Sequence, residues 1–266
     1  RQAEERRRAG QSLWARARSS LAGSTASLIG ATYRHAYVEM LRAEPQAVAE
    51  LYEDLFSGLA RSYAVTLVAG SAYLPEANGA GLLRHRVTVY GPDGKALGRH
   101  DKLALSTEDE GLATAGDVWH VIATPVGRLG ILLGEEGLYP EAGRVLAYEG
   151  ADILVTLAAA SDPALAAHIR QATLAQAQAN RIFALTSFLV GKNHLAREEG
   201  SGAQFTGKSG IYAPLEMTPR YTGVLVEMGT DDTEGLVTAE LDQLTLRKWW
   251  EGGPEPVRQK MPVELF

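Results

Sequence analysis

The spacing of apolar positions along this chain changes several times, and each change marks an element. Over residues 4–20, Leu13, Trp14 and Ala17 fall at helical spacing, which predicts a basic amphipathic helix whose arginine run is a solvated face. A short apolar stretch at 26–29 reads as a buried strand, and residues 33–41 as a loop or short helix. A second amphipathic helix follows Pro45, with Val48, Leu51, Leu55 and Leu59 on one face and the proline suited to the first turn.

Past this helix the period shortens. Residues 63–72 form a near-continuous apolar run of strand length, the pattern of a strand buried on both faces. Residues 84–90 alternate, with Val87 and Val89 on one side, and end in Gly91-Pro92-Asp93-Gly94. Proline presets φ and glycine accepts a positive one, so this tetrapeptide predicts a tight turn with 95–100 as the returning strand. Residues 119–124 and 128–133 make a second strand pair around Pro125-Val126-Gly127. A helix over 140–149, closed by Gly150, leads to a strand over 152–157. The helix over 164–180 carries Leu165, Ile169, Ala172 and Ala179 on one face, and strands follow at 182–190, 208–212 and 235–241. The stretch 192–205, rich in glycine and charge, reads as a surface loop. This order predicts a layered α/β fold, and no repeat or linker divides residues 1–266 into more than one domain.

Composition narrows the function classes. Apolar residues make up 45% of the chain and charged residues 22%, ordinary for a globular protein with a sizeable core. A net charge of −6 argues against general affinity for nucleic acid or acidic membranes. The longest apolar runs, such as 153–160, are too short to span a bilayer, and no apolar segment follows the charged residues 1–8 as a secretory signal would require. The expectation is a cytoplasmic protein. There is no cysteine, which removes disulfides, thiolate metal sites and cysteine nucleophiles together. The six histidines, His35, His85, His100, His120, His168 and His194, show no paired metal-ligand spacing, so neither a metal nor another cofactor is expected.

Three stretches carry a resemblance. The first runs from Val87 through the Pro-Asp-Gly turn to Lys102-Leu-Ala-Leu105. The second is Thr124-Pro-Val-Gly-Arg-Leu-Gly-Ile-Leu-Leu-Gly134-Glu-Glu-Gly-Leu-Tyr-Pro-Glu141, followed by Gly150-Ala-Asp-Ile-Leu-Val. The third is Gln178-Ala-Asn-Arg181 with Gly207-Lys-Ser-Gly-Ile-Tyr-Ala-Pro214. In order and spacing these resemble the nitrilase (carbon–nitrogen hydrolase) superfamily over roughly residues 85–215. The resemblance implies an α-β-β-α sandwich, a homodimer and hydrolysis of non-peptide carbon–nitrogen bonds.

That chemistry needs a thiolate to attack a nitrile or amide carbon, a glutamate as general base and acid, and a lysine to stabilise the tetrahedral intermediate. Carried over by position, Lys102 stands at the lysine, Gly134 at the cysteine and Ala31 at the glutamate. Glu108 or Glu110, ahead of Asp109, would supply the second glutamate that positions substrate, with Tyr139 beside it. Lys102 is then a relic, a ligand-binding cation or, the preferred reading, a strand-end lysine paired with Glu108 or Glu110. Glu135 and Glu136 could pair with Lys102 inside the old site or cap the following helical turn. Gly134 could permit a tight turn or open space for a ligand. The expectation is a catalytically degenerate member acting as a binding or interaction module for a small molecule. The alternative is a cysteine-free amide, nitrile or N-carbamoyl hydrolase using Lys102 with Glu135 or Glu136.

Overall fold

The computed structural model describes residues 43–76, 82–192 and 204–252, with 39 and 41. The helix expected over 4–20, the strand over 26–29, Ala31, most of 33–41 and most of the loop over 192–205 lie outside the described residues. Helix α1 (Pro45–Tyr63) ends at Ala64, which takes the left-handed conformation with φ 52°. Its buried face is Tyr52 and Ala60, packed with Val48, Ala49 and Phe56. The expected face was one position out of phase: Leu51, Leu55 and Leu59 are 50%, 51% and 38% exposed. Two stripes at i, i+4 spacing compete here, and the aromatic one wins because Tyr52 also accepts the Thr88 N–H at 3.2 Å through its hydroxyl.

The apolar run expected as one strand over 63–72 is instead divided into β1 (Leu67–Val68) and β2 (Ala72–Pro75). Both pair antiparallel with β3 (Leu83–Tyr90), as Leu67↔Tyr90 and Ala72↔Arg86, so the register slips by one residue across 69–71. One extra residue on one strand of a pair is a β-bulge. Arg86 and Val89 also pair with Asp101 and Gly98 of β4 (Ala96–Asp101), which places β4 on the other side of β3. The turn between β3 and β4 closes as expected, with Gly94 at φ +80° and its N–H donating to Gly91 O at 2.8 Å.

The second sheet follows from β5 (Ile122–Thr124) and β6 (Gly127–Leu133). Next come a 3₁₀ turn (Gly134–Leu138), α2 (Pro140–Tyr148), β7 (Ile153–Ala159), α3 (Pro163–Asn180) and β8 (Phe183–Leu189). The short strands β9 (Gly191–Lys192) and β10 (Gln204–Phe205) pair with each other. Then β11 (Gly210–Tyr212), β12 (Val224–Glu227) and α4 (Gln243–Gly252) complete the described chain. The spatial order is β12-β11-β8-β7-β6-β5, with β6, β7 and β8 parallel and the outer strands antiparallel. The strand expected over 235–241 does not form. β12 pairs with β11 at that edge, while Leu241 only packs against the core and Leu236 is 88% exposed.

Strand alternation then makes the layers. Leu129, Ile131 and Leu133 of β6, with Ile153 and Val155 of β7, meet Val87 and Val89 of the first sheet. Leu132 and Leu154 point the other way, onto Ala142 and Leu146 of α2 and Ala177 of α3. Both faces of the central strands are buried, which is why they read as continuous apolar runs. Helix α1 covers the far side of the first sheet. The result is the expected α-β-β-α sandwich. On α3 the buried face is Ala166, Ile169, Thr173, Gln176, Ala177 and Asn180, and of the expected set only Ile169 is fully buried while Ala179 is exposed. The polar members are buried because they are bonded: Gln176 Nε2 donates to Tyr139 O at 3.1 Å and Asn180 Nδ2 to Gln176 Oε1 at 3.2 Å. No described helix is long and apolar enough to cross a membrane.

Candidate active site

The parallel strand β6 ends where a ligand site is expected in an open α/β sheet, at its carboxyl end. There the chain turns through Gly134 at φ +58°, a left-handed conformation that glycine adopts without a side-chain clash. A Cβ built on Gly134 would have one neighbour within 4 Å, the Nζ of Lys102 at 3.9 Å. The glycine therefore makes the turn, and a Cβ at this position would meet only the lysine.

Lys102 directly follows β4, with its N–H donating to His85 O at 2.9 Å. Its side chain is 4% exposed and its Nζ donates to Asp109 Oδ2 at 2.7 Å. The carboxylate paired with Lys102 is thus Asp109, and Glu108 and Glu110 are both exposed. The reason is local. Ser106 and Asp109 are three residues apart, and Asp109 Oδ2 accepts both the N–H and the hydroxyl of Ser106 at 2.9 Å. This backbone-to-carboxylate contact is half of a capping box, and it turns the third residue inward and its neighbours outward.

Asp109 gathers more partners on its other oxygen. Oδ1 accepts Tyr73 Oη–H at 2.8 Å and faces His85 Nδ1 at 2.8 Å. Burial pushes this carboxyl up, but the hydrogen bonds from His85, Lys102, Ser106 and Tyr73 outweigh it and hold it well below the usual carboxylate range. The ionised Asp109 can only accept, so the Nδ1 of His85 carries the proton. His85 Nε2 in turn lies 3.0 Å from Ser71 Oγ.

Glu135 and Glu136 divide the two roles expected of them. Glu135 Oε2 is 3.7 Å from Lys102 Nζ, with its side chain 37% exposed. Glu136 is fully buried and caps the 3₁₀ turn. Its Oε2 accepts Leu133 N–H at 2.8 Å and faces His100 Nε2 at 2.9 Å, while Oε1 accepts Leu103 N–H at 2.8 Å and Ala104 N–H at 3.3 Å. Desolvation raises its pKa and these bonds, led by His100, lower it on balance. Tyr139 is exposed at the start of α2. The structure therefore brings Lys102, Glu135 and Gly134 together, adds Asp109, His85, Tyr73 and Ser71, and leaves Glu108, Glu110 and Tyr139 on the surface. A cavity of about 400 Å³ lies elsewhere, at the opposite end of β6 among Leu129, Ile153 and Val155.

The model of the carbon–nitrogen hydrolase family matches residues 29–251. The chain belongs to this family, within the nitrilase superfamily. A probable hydrolase of Bacillus subtilis is 28% identical over 214 residues, 78% of this chain but 40% of that protein, so the chain spans less than half of that relative. An omega-amidase of Xenopus laevis is 25% identical over 246 residues, 89% of this chain and 80% of the relative. A carbon–nitrogen hydrolase from Helicobacter pylori superposes with a TM-score of 0.69 at 22% identity, over 84% of this chain and 76% of that one.

Proposed function

We propose that this family member has lost thiol-dependent hydrolysis and acts as a binding module for a small amide-bearing molecule. The observation that carries the reading is the vacancy at Gly134, where a side chain would sit beside Lys102. In a concerted catalytic set, removal of the nucleophile alone lowers kcat by about 10⁶, and a residual lysine does not replace it. The amide class is taken from relatives such as the omega-amidase. The binding form is a cytoplasmic homodimer, and the exposed stripe of Leu51, Leu55 and Leu59 supplies apolar surface for a second copy.

The test is ammonia release over a panel of nitriles, amides and N-carbamoyl amino acids, with Lys102→Ala as the contamination control and thermal shift as the binding readout. The expected result is no release above the control and a melting temperature raised by at least one amide. Release that depends on Lys102 would overturn the reading.

One contact favours a second reading, a cysteine-free hydrolase in which Glu135 activates water beside the Lys102 cation. Its partly exposed carboxylate 3.7 Å from Nζ is the motivating geometry. Glu136 has no part in it, because both its oxygens are already engaged with four donors. Glu135→Gln would then abolish the release.

A further inference from the structure

We propose that Ser71, His85 and Asp109 form a serine-nucleophile centre that cleaves carboxylic esters with good leaving groups. The three side chains are bonded in the order acyl transfer requires. Ser71 Oγ lies 3.0 Å from His85 Nε2, and His85 Nδ1 lies 2.8 Å from Asp109 Oδ1. Because Asp109 fixes the proton on Nδ1, Nε2 of the neutral ring is the acceptor and the Ser71 hydroxyl donates to it. Tyr73 Oη and the Ser106 amide and hydroxyl hold the carboxylate in place, and Asp109 is 1% exposed.

The backbone places the nucleophile where substrate can reach it. Ser71 belongs to neither β1 nor β2 but to the bulge between them, and it is exposed. Bulges re-aim side chains next to active sites. Its own N–H lies outside both strands, and a nucleophile's own amide is one of the usual oxyanion donors.

The reaction closes on these residues and water. Ser71 Oγ attacks the acyl carbon as its proton passes to His85 Nε2. The ester C–O bond breaks, and the leaving alkoxide or phenoxide takes that proton. Water then attacks the acyl-serine, giving its proton to Nε2, and the carboxylic acid departs as Ser71 is reprotonated. Esters are favoured over amides for a reason visible in the site. Asp109 also bears the Lys102 ammonium at 2.7 Å, so less of its charge is available to the imidazolium, and only a leaving group needing little protonation departs readily.

The experiment exposes the full chain to diisopropyl fluorophosphate and maps the adduct by peptide mass spectrometry, with p-nitrophenyl acetate hydrolysis followed in parallel. The expected adduct is on Ser71, with labelling lost in Ser71→Ala and in His85→Ala, and hydrolysis in both falling to the buffer rate. The double variant should lose no more than either single one, since members of a catalytic set are not additive. Circular dichroism and melting temperature establish that the variants are folded. A folded wild-type chain that takes no label, or a label that persists in Ser71→Ala, overturns the proposal. Ammonia release from amides is read separately, because it tests the vacancy at Gly134.

Discussion

Lys102 Nζ and Asp109 Oδ2 lie 2.7 Å apart with side chains 4% and 1% exposed, so Asp109 is the nearer of the two carboxylates that answer the buried ammonium. Removing one partner of a buried pair strands a charge and costs about 3–5 kcal/mol. Lys102→Met and Asp109→Asn are each expected to lose that much in urea unfolding. The double variant should lose less than the sum by at least about 1 kcal/mol, the signature of direct coupling. Strict additivity would mean that the pair contributes nothing as a pair.

Gly134→Cys tests the vacancy from the other side. The left-handed backbone there carries a penalty of about 1–2 kcal/mol for an L side chain, small enough for the variant to fold. The new thiol would stand beside Lys102 Nζ, whose charge is partly answered by Glu135 at 3.7 Å. Adding Glu135→Gln should lower the pH midpoint of iodoacetamide alkylation, because a nearby positive charge favours thiolate. An unchanged midpoint would place the sulfur out of reach of this pair.

Acid should weaken the fold through its paired carboxylates, Asp109 and Glu136 among them. Asp109 and Glu136 are both held below their ordinary values in the folded chain, so the unfolded chain binds more protons in acid. Their contribution is fully present above the ordinary carboxylate range, near pH 4, and is lost as pH falls through the folded values. Urea midpoints should be nearly level from pH 7 to 5 and decline below about 4. Asp109→Asn should flatten that decline, and an identical decline in the variant would assign it to other groups.

If the leucine stripe on α1 joins two copies, Leu55→Glu should convert a dimer to a monomer in sedimentation velocity with little change in melting temperature, since Leu55 is 51% exposed. A burial charge at this position would oppose association without touching the core. A dimer that survives the substitution puts the contact elsewhere.

The layered α/β order was legible because strand-length apolar runs alternate with helical spacing and the turns carry Gly-Pro-Asp-Gly and Pro-Val-Gly, while the sandwich itself was implied by the family resemblance. What misled was burial decided by bonding instead of hydropathy. Gln176 and Asn180 enter the core because their amide nitrogens find acceptors there, and Leu51 stays out because Tyr52 takes the inner face. In the site, Lys102, Gly134 and Glu135 were visible as a positional match, whereas the choice of Asp109 over its glutamate neighbours depends on a three-residue reach back to Ser106. That Ser-x-x-Asp spacing was a readable signal. The approach of Ser71 and His85 was not, since it depends on a one-residue slip between β1 and β2 in their pairing with β3.

Glu136 accepts from Leu133 at the end of β6 in one sheet and faces His100 on β4 in the other, and it also receives the Leu103 and Ala104 amides between them. One carboxylate therefore fastens the two layers at their seam. The seam cannot part locally without abandoning four donors to a buried, empty space, so its amide protons should exchange with deuterium only when the whole domain opens. In kinetic terms the two sheets form one cooperative unit, and the hydrogens of Leu103 and Leu133 should be among the last to leave.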